Sequence, residues 1–272
     1  MKIRNESLFE VLADKNSQLI LNRTPCDKYS SEIIQIIDDI KNDGPSEEKY
    51  ISLINEFHRI GLFREAVEVS CEAISTDPFN WGFHLLRGYN NLHIEQIAEA
   101  AANLEFASRM NPESFEAQLY GGIAHFLAEN YSKSNYFFNQ ALELSNTFKD
   151  KCDVILWYWI FSSKQENGEQ MKEILSSIDF SEDASDNSDF SSIDMCKLYK
   201  TNELNILTKI KTKEQMDKYK YFIAWYEIIT GNRDKGYSLL NDCSENSIFS
   251  IQSVAARKDL KKIFIRWTPD EF

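Results

Sequence analysis

The chain lacks any apolar run approaching the roughly 18 residues that a membrane-spanning helix needs. Its first 30 residues also lack the apolar stretch of a secretory leader. No membrane insertion is expected. The sequence predicts a cytoplasmic protein, or a periplasmic one if it is a mature segment whose leader has been removed. Cysteine is sparse: Cys26, Cys71, Cys152, Cys196 and Cys243 stand far apart with no CxxC spacing. That excludes zinc-ribbon and thioredoxin-like motifs and fits a reducing compartment. Only 9 Gly and 5 Pro punctuate 272 residues, too few for the frequent turns of a sandwich or barrel. Positive charge is also short. Thirty Lys and Arg against 43 Asp and Glu leave a net charge of −13, which argues against nucleic acid, whose binding needs cations to displace counterions. The basic cluster Arg257, Lys258, Lys261, Lys262 and Arg266 is interrupted by Asp259 and apolar residues, and it reads as the solvent face of a last helix.

Catalytic signatures are missing as well. There is no GxSxG, no HExxH and no phosphate-cradling glycine loop. His93 to Glu95, "HIE", begins like a zinc-deaminase signature, but no PCxxC follows it. Asp183, Asp186 and Asp189 are spaced by three rather than two, without the glycine at which an EF-hand loop bends. The chain is therefore expected to be non-enzymatic, with no catalytic residue, no metal and no cofactor.

What the chain does contain is a period. Trp81 to Pro112 and Phe115 to Asn146 repeat the same pattern, and 34 residues separate Pro78 from Pro112, Gly88 from Gly122, Ala100 from Ser134, Leu104 from Phe138, and Ala107 from Ala141. Thirty-four is the tetratricopeptide (TPR) period, in which two antiparallel helices form a unit that buries its apolar face only by stacking on neighbours. Gly88 and Gly122 fall where the second helix of the unit crosses the first closely. A β-carbon there would part the pair, which outweighs glycine's helix cost of about 1 kcal/mol. The predicted fold is an all-α, right-handed solenoid of TPR helical hairpins without sheet.

The same grid gives a weaker first repeat from Glu47 to Asn80, with Ile54 in place of the glycine, and a late repeat over residues 217–250 with Gly231 in its turn. Between them lies a degenerate pair in which Trp157, Tyr158 and Trp159 replace the small residues. Upstream, Ile33, Ile36, Ile37 and Ile40 share one helical face that needs a surface to cover it. The expected organisation is a helical extension over 1–45, the TPR region over 46–178, an acidic Ser/Asp-rich surface loop over 179–194, and a C-terminal helical region over 195–272.

A TPR stack presents a concave groove lined by the first helix of each unit. The grid places Asn55, His58, Leu85, Tyr89, Leu92, Leu119, Ile123 and Phe126 on that face, as candidate contacts for a protein or peptide partner. Apolar residues at helical spacing also serve as inter-repeat packing, so Tyr89, Asn55 and His58, with their polar ends, are the stronger candidates. A clamp for a chaperone's C-terminal carboxylate is disfavoured, because Ile51, Glu116 and Tyr120 stand at positions that would carry cations or amides.

The order of parts resembles the bacterial outer-membrane TPR lipoproteins of the NlpI type. The resemblance runs over about residues 30 to 262: the lone amphipathic helix, "HRIGLFREAVEVSCEAISTDP", the two clear repeats, "ILWYWIFSSKQENGEQMKEIL", an irregular insertion, "YFIAWYEIITGNRDKGYSLL", and "SIFSIQSVAARKDL". It implies a homodimeric, non-catalytic adaptor that links a protease to its substrates or to cell-envelope enzymes. The leader and lipid-modified cysteine of that family are not visible here. The alternative is a dedicated chaperone of a secreted effector, similar to the three-repeat chaperones of type III secretion.

Overall fold

The computed structural model describes residues 29–182, 189–245 and 250–267. Cys26, Asp183 and Asp186 lie outside them. Among the described residues there are thirteen α-helices, two 3-10 turns and no strand. After a lone α1 (Ser31–Asp43) come the hairpins α2/α3 (Glu47–Arg59, Phe63–Thr76), α4/α5 (Trp81–His93, Ile97–Met110), α6/α7 (Phe115–Leu127, Tyr131–Glu143) and α8/α9 (Phe148–Lys164, Gly168–Ser176). Then follow α10 (Ser192–Thr201), the hairpin α11/α12 (Lys213–Ile229, Arg233–Ser244) and α13 (Ile251–Trp267).

Local sequence sets each boundary. The first helix of every hairpin begins at a side-chain cap: Ser46, Asn80, Ser114, Thr147 and Thr212 each accept from a backbone N–H in the following turn. Each first helix also ends the same way. The residues after it, Gly61, Glu95, Glu129, Glu166 and Gly231, take left-handed φ angles of 77°, 62°, 63°, 55° and 101°. The next N–H reaches back five residues, as in Gln96 to Asn91 at 3.0 Å and Asn130 to His125 at 2.9 Å. These are Schellman turns, which reverse the chain in very few residues while satisfying carbonyls that would otherwise be orphaned.

Within the hairpins, residues 16 apart face one another. A β-carbon on Gly88 would lie 2.7 Å from Leu104 Cγ, and one on Gly122 would lie 2.7 Å from the Phe138 ring. The first hairpin inverts this arrangement: Ile54 replaces the glycine, and the residue in register opposite is the small Ser70, both fully buried. A large residue meets a small one in all three units, so the crossing stays close whichever helix carries the bulk.

The isoleucine face of α1 is covered as its pattern requires. Ile33, Ile37 and Ile40 are buried in one cluster with Tyr50, Leu53, Phe57 and Phe83. The aromatic run of α8 has a different cause. Trp159 stacks on Tyr199 of α10 at 4.0 Å, Trp157 meets Phe222 of α11 at 5.2 Å, and Tyr158 meets Phe138 of α7 at 5.3 Å. This helix is buried on all sides, so it carries apolar residues all round.

The acidic segment differs from the expectation at both ends. Phe180–Glu182 forms a 3-10 turn, and α10 starts at Ser192, inside the span expected to be loop. Phe190, Ile193 and Asp194 are buried. Asp194 caps α10 by accepting from the Ser191 N–H at 3.0 Å and takes a bond from Lys209 Nζ at 2.7 Å. Average polarity over the window conceals two apolar anchors and an aspartate that is matched internally.

The crossing geometry generates a stability test. Gly88→Leu and Gly122→Leu are expected to lower unfolding free energy by about 1–3 kcal/mol or more through overpacking. Gly168→Ala, where an added β-carbon meets nothing within 4 Å, is expected to be neutral or to add up to about 1 kcal/mol by helix propensity. Urea midpoints of the three variants decide the matter, and equal losses in all three would refute the close-crossing account.

Candidate functional site

The stack curls until its last helix meets its earlier turns. Arg257 of α13 pairs with Glu95 at 2.5 Å, and Lys262 pairs with Glu129 at 3.0 Å. These two glutamates are the left-handed residues of successive hairpin turns, 34 apart. In the first and late hairpins the same turn position is glycine, which meets that φ without strain. The strained glutamates hold α13 against the row of turns.

Deeper in, α13 is fixed by a cation in an aromatic cage. Lys164 Nζ lies 4.6 Å from the ring centroids of Phe126 and Trp225 and 5.8 Å from that of Tyr221. Asp259 of α13 closes the cage, bonding Lys164 Nζ at 2.5 Å through one oxygen and accepting from Tyr221 Oη at 2.9 Å and Trp225 Nε1 at 3.0 Å through the other. Burial pulls the Lys164 pKa down, and the Asp259 carboxylate opposes that shift.

What remains of the concave face is a recess of 310 Å³ with walls from α4, α6, α8, α11 and α13. Tyr89, Tyr120, Trp157, Tyr219 and Phe222 supply rings, and Leu119, Ile123 and Leu156 supply aliphatic surface. His93, Lys149, Asp153, Lys218 and Gln252 are its polar lining. Tyr89 and Tyr120 stack at 4.4 Å. Burial raises both phenol pKa values and pushes that of Tyr219 up to about 12, and the Tyr89 and Tyr120 hydroxyls hydrogen-bond each other. Lys149 and Asp153 neutralise each other at 2.6 Å, one turn apart on α8.

The structure gathers three of the eight sequence candidates, Tyr89, Leu119 and Ile123, into this recess. His58 sits behind them: its ring stacks on Tyr89 at 4.8 Å, and its Nδ1 lies 2.9 Å from Asn90 Oδ1. Leu92 and Phe126 are core residues, 0% and 4% exposed, and Leu119 and Ile123, at 7% and 1%, belong to the same core as well as lining the recess. Leu85 packs half-buried against the same core, and Asn55 is exposed on α2 away from the recess lining. The residues that sequence reasoning missed come mainly from α8, α11 and α13. Asp153 and Trp157 of α8 continue the 34-residue register of Leu119 and Ile123, so the grid carried a signal for them, whereas the lining residues of α11 and α13 share no register with the candidates.

A larger hollow of 460 Å³ lies outside the groove around Glu105. Its charges are spent internally, because Glu105 pairs with Arg109 at 2.5 Å and Lys133 at 2.6 Å. Among the described residues no group of three or more His, Cys, Asp or Glu is arranged to hold a metal ion. No helix among them is long and apolar enough to cross a membrane.

No family model matches the chain, and no curated protein matches it. Solved structures do show similarity. One crystal structure of MamA is 15% identical over 78% of this chain and 97% of its own, with a TM-score of 0.44. MamA MSR-1 is 18% identical over 53% of this chain and 83% of its own, with the same TM-score. The APC/C hetero-tetramer Cut9-Hcn1 is 14% identical over 88% of this chain and 48% of the matched one, with a TM-score of 0.49.

The cage predicts how α13 is held. Removing one member of a buried ion pair leaves the other uncompensated, at a cost of about 3–5 kcal/mol. Asp259→Ala is therefore expected to destabilise the chain by roughly that amount and to raise amide exchange in α13 before the repeats. The double variant Lys164→Met, Asp259→Leu is expected to recover only part of the loss, since the uncompensated charge is gone but the Tyr221 and Trp225 donors still lack their acceptor. Exchange mass spectrometry with thermal denaturation reads both effects. An Asp259→Ala protein as stable as wild type would remove the cage from the account.

Proposed function

We propose that this protein is a non-catalytic interaction scaffold that holds a segment of another protein, with the recess beneath Tyr89 as its anchor point. The observation that carries this reading is the recess itself: an aromatic hollow on the concave side of a rigid stack, which the described residues leave open beside α13. Preformed apolar hollows with a few placed polar groups are the usual form of a recognition site. A residue such as Tyr89, large and amphipathic, is the type that dominates binding energy.

Of the finer readings, a protease-linking adaptor of the kind implied by the NlpI-type resemblance agrees better with this geometry than a chaperone does. A chaperone that cradles a long extended client needs a continuous groove, and here α13 crosses that groove. The adaptor needs only an anchor for one segment. A homodimer belongs to the adaptor reading.

The test is capture of partners from native extract on wild type, on Tyr89→Ala, and on a surface control, Glu99→Ala with Glu113→Ala, both exposed. All three proteins are first shown to melt alike. Tyr89→Ala is expected to weaken capture by about 2 kcal/mol or more, with the control unchanged. A protease or cell-envelope enzyme among the captured proteins supports the adaptor, and a single secreted protein supports the chaperone. Undiminished capture by a folded Tyr89→Ala variant would place docking elsewhere.

A further inference from the structure

We propose that the captured segment presents an aromatic side chain next to a carboxylate, the ring entering the recess and the carboxylate meeting Lys218 at its rim. This rests on reading the recess as a docking site and adds the chemistry of what it takes.

The lining is unusual in both composition and charge. Five of its side chains are Tyr, Trp or Phe, and rings meeting at offset or edge-on angles stabilise one another beyond the area they bury. The existing contacts show the preference: Tyr89 on Tyr120 at 4.4 Å with planes 41° apart, and Trp157 on Phe222 at 5.2 Å with planes 80° apart. An incoming ring meets the same kind of surface. An aliphatic anchor fills the volume but forgoes that term.

The charge is opposite to that of the molecule. The chain carries −13, yet the lining holds two lysines and one aspartate, beside His93, whose ring packs on Phe63 and Tyr89. Asp153 is already neutralised by Lys149. Lys218 has no carboxylate within ion-pair distance among the described residues, and its Nζ lies 5.4 Å from the Tyr219 ring centroid. The one unpaired charge at an aromatic hollow is therefore a cation, on a surface that otherwise repels acidic segments. Such a local reversal selects for an acidic neighbour to the anchor. A cationic anchor is the competing occupant, because ring faces attract cations. Here the carboxylate that would assist it is engaged by Lys149, and Lys218 already lies near one of the rings.

The experiment uses the full chain with labelled indole nitrogens and three Gly/Ser carrier peptides. One carries phenylalanine between aspartates, one carries phenylalanine between lysines, and one carries alanine between aspartates. At low salt the first is expected to shift the Trp157 indole signal, to bind about two- to fivefold more tightly than the lysine peptide, as one exposed ion pair allows, and to outbind the alanine peptide. Lys218→Glu, at an exposed position, is expected to reverse the charge preference while leaving the melting curve unchanged. Equal or tighter binding of the lysine peptide to wild type, or a preference untouched by Lys218→Glu, overturns the assigned chemistry. So does a Trp157 signal that no phenylalanine peptide moves. These outcomes leave the docking site itself to be judged by the Tyr89→Ala capture, so the two failures are distinguishable.

Discussion

Two helices in a hairpin approach only as closely as their facing side chains permit, and in this chain that limit is set 16 residues apart. Gly88 faces Leu104 and Gly122 faces Phe138, while Ile54 falls opposite Ser70. With the bulk assigned to one partner only, each crossing is tight enough for Schellman turns to join the helices in a few residues. Because each hairpin is narrow and similar, consecutive hairpins stack with the same small rotation, and the rotations accumulate into a curved wall. Every later feature, including the recess, inherits its position from that local spacing.

Curvature brings distant segments together, and the chain uses the meeting. Exposed pairs such as Lys262 with Glu129 contribute little individually. The two turn glutamates are spaced so that one helix can reach both, which fixes where α13 lies more than how strongly it is held. The Lys164 cage is the stronger tie and the more demanding one. A buried ammonium is tolerated there because one carboxylate and three ring faces surround it, and the carboxylate's other oxygen is satisfied by Tyr221 and Trp225. An apolar cluster could hold α13 as firmly. A matched polar set penalises every other register of the helix.

The recess lies where α13 begins, at Ile251 and Gln252. Its rings also serve the fold: Tyr89 braces His58 and Tyr120, and Trp157 braces Phe222. Packing and the proposed binding thus draw on the same side chains. Rigid walls of this kind keep the ordering cost of an interaction low, because the rotamers are already fixed by neighbours.

The sequence by itself determined the repeats. The spacing of Pro78 and Pro112, the glycines at 88 and 122, the caps, and the isoleucine face of α1 are local signals, since a helical hairpin is built from contacts within 34 residues. The same periodicity put Tyr89, Leu119 and Ile123 on one face, and all three line the recess. It did not reveal that Phe126 on that face is covered, because the covering group, Lys164, lies far along the chain. Nor did it reveal that Phe190 and Ile193 anchor a segment whose average composition is that of a loop. What only the tertiary structure decided is how far the stack curls and what it then encloses: Glu95 beside Arg257, Phe126 under Lys164, Tyr89 across from Phe222. Those pairings depend on small inter-repeat rotations summed over several hairpins. A sum of that kind leaves no trace at any single position, which is why the walls of the hairpins were legible and the hollow between them was not.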